Sequence, residues 1–529
     1  MSIDYLLKGG TVIDGSSPDV PPKEMDIAIE GDCIKDIGDL SYMNADRTIN
    51  VKGLIVCPGF IDAHAHSEFM LLSDGRAEGK ISQGVTTEIN GNCGLSAAPL
   101  YGPAREQRES EFDAIHIKER WQTFAEYFRL LETRKFGTNF VTLAGHGNIR
   151  ASVVGYTDKS LSASDMEKMV TLLRTAMSEG ATGLSTGLIY PPGIYSHTAE
   201  IIRLAQEAAK YKGIYTTHMR SEGDKLLESV EEVINLAGKS EIPAHISHMK
   251  TSGEKNWNKL DRVFGMIEEA RGKGISITCD RYPYIASSTD LDTVLPSWAF
   301  EGGHKKEIYR LKNQRVELSQ DILKDYSCPS DWEKVVISSV SSEKNRWMEG
   351  RSISEISVAQ GKTELQSVYD LLIDEGLNVG AIFFTMNEDN LRSILRRPYC
   401  AIGTDSAVRS FSGITAKGMP HPRGFGSFPR ILGRYVRELG TLTLSEAVYK
   451  MSGLSAEIFK IGRRGMLKKG FFADITIFDP LKIIDTADYR TPFRRPEGIY
   501  HVFINGKPVL LDGDLTVELP GRVLRRLNN

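Results

Sequence analysis

No run of about 18 uncharged apolar residues occurs in the 529-residue chain, so nothing in it reads as a membrane-spanning helix. The amino terminus, MSIDYLLKGGTVIDG, lacks a basic stretch followed by an apolar one, and the expectation is a cytoplasmic protein. Neither sign of charge dominates. Lys plus Arg number 65 against 69 Asp plus Glu, a formal charge of −4 and a pI near 6.3, so no global field recruits nucleic acid or anionic lipid. The six cysteines (Cys33, Cys57, Cys93, Cys279, Cys328 and Cys400) include no close pair and are too sparse for a disulfide framework. GxxxxGK[ST], a GxGxxG after a strand and a GxSxG elbow are all missing, which removes support for nucleotide-dependent and serine-hydrolase chemistry.

What remains is the composition of a globular protein, 41% hydrophobic and 25% charged, long enough for a large barrel with an accessory domain. Residues 1–58 read as short strands broken by glycines. From residue 59 strands alternate with helical stretches such as 123–135, 165–180 and 199–213, the pattern of parallel strands with crossover helices. The strand candidates are eight: 59–66, 84–90, 140–146, 180–188, 213–219, 242–248, 274–280 and 399–405. That is the number a (β/α)8 TIM barrel needs. VGAIFFT (379–385) is a surplus strand, read as an accessory strand within the excursion before the last barrel strand, whose long helical and loop insertion spans 286–378. After about residue 464 the β texture returns. The predicted architecture is therefore an α/β barrel over 59–463, with a small β-sandwich made by 1–58 and 464–529.

His64-Ala65-His66, after Asp62, ends the first barrel strand, and the two-residue period aims both imidazoles at the barrel mouth. His218 and His248 each end a strand, and Asp405 ends the last one in AIGTD. Four histidines and a carboxylate at strand ends converge on one axis and suit a zinc ion. Cys93, in the loop past the second strand, opens at the same mouth, where a thiolate would be a soft ligand. His245, three residues before His248, is expected to face the strand–helix core. The other histidines are expected to be solvated or capping, with His146 close to the site but outside the ligand set.

The runs FIDAHAH, GNCGLSAAP, LSTGLIYPPG (184–193), HMRSEGD (218–224), ISHMKTSG (246–253), YPYIASST (282–289), GTD (403–405), PHPR…FPR (420–430) and GxxxKGxxADITIFDP occur in order along nearly the whole chain. Together they resemble the D-aminoacylase (N-acyl-D-amino-acid deacylase) family of the amidohydrolase superfamily. The resemblance implies Cys93, His218 and His248 as ligands of one tightly held Zn2+, and His64 with His66 as a second, weaker position that Cys93 bridges. It implies Asp405 as general base. A carboxylated lysine bridges the metals in hydantoinase-like relatives, but GATGLSTGLIY contains no lysine, so the thiolate takes that place.

The expected reaction is zinc-dependent hydrolysis of N-acyl-D-amino acids to a carboxylate and a free D-amino acid, with Asp405 taking a proton from water and returning it to the leaving nitrogen. Arg423 is expected to grip the substrate carboxylate with both arms of its guanidinium. By resemblance Lys250, Tyr282 and Ser288 help bind that carboxylate, and Tyr190 lines the same pocket beside the reacting amide. Peptides ending in a D-residue, cyclic amides and a non-catalytic metabolite-binding barrel are the alternatives. The partner is a small molecule, with no nucleic acid and no membrane, and homo-oligomerisation stays open.

Overall fold

The computed structural model describes residues 3–526. Eight parallel strands form the barrel: Phe60–Asp62, Val85–Asn90, Asn139–Thr142 continued by Ala144–Gly145, Gly183–Gly187, Ile214–His218, Ala244–Ile246, Ile277–Arg281 and Cys400–Ile402. Backbone pairing runs from the first to the third and from the third's continuation to the eighth, and the Ala63 amide closes the ring on the Ile402 carbonyl. Crossover helices cover the outside. Ala163–Glu179 is representative: Ser162 and Asp165 form a capping box, Gly180 ends it at φ +122°, and Met169, Val170, Leu173, Ala176 and Met177 turn one apolar face to the strands.

The strands are shorter than the sequence pattern indicated. Three of them stop two or three residues before the chemistry, and Cys93, His248 and Asp405 lie beyond the ends at φ +52°, +37° and +51°. These left-handed conformations break the strand period, at a cost of about 1–3 kcal/mol each for residues with a side chain.

Both ends of the chain meet in one nine-stranded sheet. Ile55–Pro58 from the N-terminal side pairs antiparallel with Ile475–Phe478 from the C-terminal side, and an isolated bridge from Cys33 to Phe472 brings the sheet's edge back on itself. The expected bound of the C-terminal part needs correction, because Pro520 and Val523 leave this sheet and bridge Phe136 and Phe140 of the barrel. Residues 1–2 and 527–529 of the expected accessory segments lie outside the described residues.

The insertion is a unit with its own core. Ser287–Asp290, Gly380–Phe383 and Val335–Ser339 form an antiparallel sheet with Gly380–Phe383 in the middle, and Leu311, Leu318, Trp332, Ile337, Val368, Leu372 and Ala381 fill the space under its helices. The surplus strand is the sheet's central member and so belongs to the excursion, as the sequence reading has it, which carries the 286–378 insertion on to Phe383. No helix among the described residues is long and apolar enough to cross a membrane.

Candidate active site and metal centre

The barrel's C-terminal mouth gathers the chemistry-bearing side chains. His64 Nε2 stands 3.3 Å from His66 Nε2 and 3.4 Å from Cys93 Sγ, and His248 Nε2 approaches the same sulfur at 3.4 Å. The His218 ring lies 4.4 Å from the His248 ring, centroid to centroid. The Cys93 loop reaches this point because two glycines allow it. A Cβ on Gly187 would sit 2.1 Å from the Cys93 carbonyl oxygen, and one on Gly94, at φ +76°, would sit 2.7 Å from the Gly187 nitrogen.

Carboxylates orient the rings from behind. Asp280 Oδ2 stands 3.2 Å from His64 Nδ1, and Glu222 Oε1 stands 3.0 Å from His248 Nδ1. At His64 the carboxylate on the Nδ1 side fixes the tautomer that turns a bare Nε2 to the centre, a common arrangement for a metal ligand. Burial drives the Cys93 thiol up, but His64 and His248 outweigh it and hold the thiol well below its usual range. Burial also lowers the His218 pKa, and neither of its ring nitrogens has a hydrogen-bond partner among the described residues.

Three overlapping sets have ligand atoms within 4.8 Å of one another: His64, Cys93 and His248; His64, His66 and Asp405; and His218, Glu222 and His248. A thiolate, bare imidazole nitrogens and an unpartnered buried histidine form a donor set that fits a borderline-soft divalent cation. The fourth strand, GLSTG, brings no lysine.

Asp405 sits at the edge of this cluster. Its Oδ1 is 3.3 Å from His66 Nε2 and 3.5 Å from His64 Nε2, and its Oδ2 is 2.8 Å from Arg423 Nη1. Burial raises its pKa, yet Arg423 first, then His248 and His64, hold the carboxyl well below the usual carboxylate range. Arg423 also donates from Nη2 to the Ser288 carbonyl at 3.0 Å and stacks over Tyr282, 4.7 Å from the ring centroid. Tyr282 Oη is buried without a partner among the described residues. Tyr190 places its ring edge against His218, 5.1 Å between centroids, and its hydroxyl 3.0 Å from Thr289 Oγ1 of the insertion.

All the residues singled out from the sequence thus lie at or beside one mouth, with two differences in what they do. Lys250 points into the cluster rather than toward Arg423: its Nζ lies 2.5 Å from Glu222 Oε1 and 2.7 Å from His248 Nδ1. Ser288 offers Arg423 its backbone oxygen. His245 requires a correction as well. It faces the barrel interior, with Nε2 2.9 Å from Asp280 Oδ2 and its ring against Phe459, because the strand stops at Ile246 and the turn at His248 cancels the expected alternation. His421 is buried beneath Arg423, accepting its amide at Nδ1, and His146 pairs with Glu200 at the start of the helix whose Gly147 amide donates to the Gly94 carbonyl next to Cys93.

Sequence reasoning missed Asp280, Glu222 and Lys80. Asp280 is the penultimate residue of the seventh strand as Asp405 follows the eighth, and Glu222 lies four residues past His218, so both carried a positional signal. Lys80 carried none.

Residues 47–308 and 324–510 match the model of the amidohydrolase family. The D-aminoacylase of Alcaligenes xylosoxydans xylosoxydans is 35% identical over 99% of this chain and 98% of that protein. Among solved structures, the N-acyl-D-glutamate deacylase of Bordetella bronchiseptica, complexed with zinc and a phosphonate mimic of the tetrahedral intermediate, superposes with a TM-score of 0.85 at 30% identity. It covers 99% of this chain and 100% of that one. A D-aminoacylase described as having a binuclear metal centre, with one-metal activation and second-metal attenuation, gives 0.83 at 33% identity over 99% and 100%. A cluster of thiolate, imidazole and carboxylate at the mouth of a closed barrel, matched in sequence and in fold over nearly its whole length, establishes that the chain belongs to the amidohydrolase family, in its D-aminoacylase branch.

Proposed function

We propose that this protein hydrolyses the amide bond of N-acyl-D-amino acids to a carboxylate and a free D-amino acid, using zinc. The observation that carries the reading is the placement of Asp405, with one oxygen against the His64–His66 pair and the other on Arg423. Cys93, His218 and His248 would hold one zinc ion tightly, and His64 and His66 a second, weaker one with Cys93 between them. When bound, the cation polarises the amide carbonyl and lets water ionise near neutral pH.

The chain's own residues supply the rest. Asp405, ionised under its cationic neighbours, accepts the water proton and returns it to the amide nitrogen, which cannot leave as an anion. Arg423, buried and anchored by Ser288 and Tyr282, presents its guanidinium to the substrate carboxylate. Tyr190 closes the wall beside His218 and joins the barrel to the insertion.

A second reading is cleavage of peptides ending in a D-residue. A cavity of about 540 Å³ between barrel and insertion offers room for a longer chain, although Ile194, Tyr195, Arg220 and Trp298 line it and none of the cluster's residues does. The deciding experiment assays zinc-loaded protein against N-acetylated D- and L-amino acids and D-terminated dipeptides. Turnover of the acetylated D-compounds alone, lost with a chelator and restored by zinc, supports the first reading. Faster turnover of the dipeptides favours the second, and zinc-replete protein inert on every D-compound defeats both.

A further inference from the structure

Lys80 lies in a four-residue helix, Glu78–Ile81, and no part of its side chain reaches solvent. Its Nζ is 2.5 Å from Asp62 Oδ2, 2.6 Å from Thr404 Oγ1 and 2.9 Å from the Ser406 carbonyl oxygen, which uses all three ammonium protons. Glu88 Oε2 is next at 3.4 Å. The three acceptors come from two segments only. Asp62 ends the first barrel strand two residues before His64, and Thr404 and Ser406 flank Asp405 on either side.

Asp62 extends the clamp. Its Oδ1 accepts the amides of His64 at 3.1 Å and Thr404 at 2.8 Å, and its Oδ2 accepts the Thr404 hydroxyl at 2.7 Å. Across the same seam the Asp405 amide donates to the His64 carbonyl at 2.8 Å, and the His66 amide to the Ser406 carbonyl at 3.3 Å. The strands being joined are three residues long each, too short to fix the register of the residues beyond their ends. Asp405 itself stands at φ +51°, a conformation that persists only where neighbours impose it.

A buried Lys–Asp pair is commonly a packing feature whose charges gain little over apolar replacements. Here the hydrogen-bond acceptors of the cation all fall within two residues of His64 or Asp405, on the two segments that must be aligned. We infer that Lys80, acting through Asp62 and Thr404, is a positioning residue that sets the distance between the Asp405 carboxylate and the His64–His66 pair. The inference rests on the role proposed above for Asp405.

The test uses full-length, metal-loaded protein. Thr404→Val removes one arm and leaves the Lys80–Asp62 pair intact, Thr404→Ser restores the hydroxyl, and Lys80→Met combined with Asp62→Asn and Glu88→Gln removes the cation together with both carboxylates beside it. Thr404→Val and the triple variant are expected to keep the parental far-ultraviolet circular dichroism and metal content. Their kcat should fall about 10- to 100-fold, as a displaced catalytic group produces, while KM stays within about threefold. Thr404→Ser should recover most of the loss. The visible spectrum of protein titrated with cobalt(II) until the weaker position at His64 and His66 is also filled should shift in the two damaged proteins and return in Thr404→Ser.

Folded variants with kcat within about twofold of the parent and unchanged cobalt spectra would overturn the inference, leaving Lys80 a packing residue. If the triple variant does not fold, Thr404→Val against Thr404→Ser decides alone by the same readings. A parent inert on every D-compound sinks the proposed reaction instead, and the cobalt spectra still report on the clamp.

Discussion

Replacing Asp405 by Asn tests the proposed chemistry most directly, because the change preserves size and shape while removing the charge and the basic oxygen. The backbone bond from residue 405 to the His64 carbonyl, 2.8 Å in the parent, is untouched by the substitution. An amide oxygen can still face Arg423 Nη1, now at 2.8 Å from Oδ2, so the wall of the pocket stays in place. What disappears is a carboxylate kept ionised by Arg423, His248 and His64 against its own burial. General acid–base assistance of this kind contributes about 10²–10⁴-fold, and here one group both takes and returns the proton, so the upper half of that range is expected. A fall of about 10³- to 10⁴-fold in kcat corresponds to about 4–5.5 kcal/mol of lost transition-state stabilisation. The assay measures kcat and KM on the best N-acetyl-D-amino acid and the metal content of the same preparation by mass spectrometry. Zinc at Cys93, His218 and His248 is expected to remain, since Asp405 approaches His64, His66 and Arg423 and is not one of those three proposed ligands. A kcat within about tenfold of the parent, with metal bound, refutes the assignment of Asp405 as base. Zinc lost in step with activity refutes it differently, turning Asp405 into a ligand through its 3.3 Å approach to His66.

Cys93→Ser replaces the soft ligand with a weakly acidic hydroxyl, and titration with a chelator should show zinc affinity reduced by at least about tenfold. Arg423→Met should raise KM for carboxylate-bearing substrates by about tenfold or more and move the acid limb of the kcat/KM profile to higher pH. The second effect arises because Asp405 loses the nearest cation that holds its pKa down. In the insertion, burial and then neighbouring carboxylates push Asp292 up to about 8 and Glu307 up to about 9. The folded state therefore binds more protons than the unfolded chain above the ordinary carboxylate range. The stability this supplies is full below the ordinary carboxylate range and is lost progressively as pH rises from there, the loss being complete only above about 8 to 9. Thermal midpoints should fall over that window in the parent, and Asp292→Asn with Glu307→Gln should flatten the fall.

The barrel was legible because its signal is local: each strand–helix unit announces itself within some 30 residues, roughly the length of a βαβ unit, and parallel topology then forces the strand ends to one face. That is why His64, His66, His218, His248 and Asp405 could be grouped although residues 64 and 405 lie far apart in the chain. The failures share a different physical origin. His245 was misplaced because strict alternation was carried past Ile246, where the strand ends, to His248, whose φ of +37° no composition announces. Lys80 hydrogen-bonds to Thr404 across 324 residues, and nothing in EGKISQG distinguishes a fully buried ammonium from a solvated one. The partners of VGAIFFT were not legible because it reads as a strand wherever it is placed, while its pairing with both Ser287–Asp290 and Val335–Ser339 exists only in three dimensions.

The same three positions where alternation fails are where the site gathers its chemistry, and each is held by a separate device. Cys93 is pinned by the glycine-to-glycine approach of its loop and the fourth strand, His248 by Asp280, whose Oδ1 takes its amide at 3.0 Å, and Asp405 by the His64 carbonyl and the flanking grip of Lys80. Asp280 and Asp62 thereby do one job twice: each uses one oxygen to fix a backbone amide at the end of a strand and the other to bind a buried cationic or imidazole group. Independent anchoring matters for a centre of this kind. Residues that would hold a cation must keep their spacing whether or not it is bound, and separate anchoring of each strand end keeps Asp405 in line with the His64–His66 pair. Barrel closure supplies the approximate convergence, and the buried carboxylates set the remaining ångström.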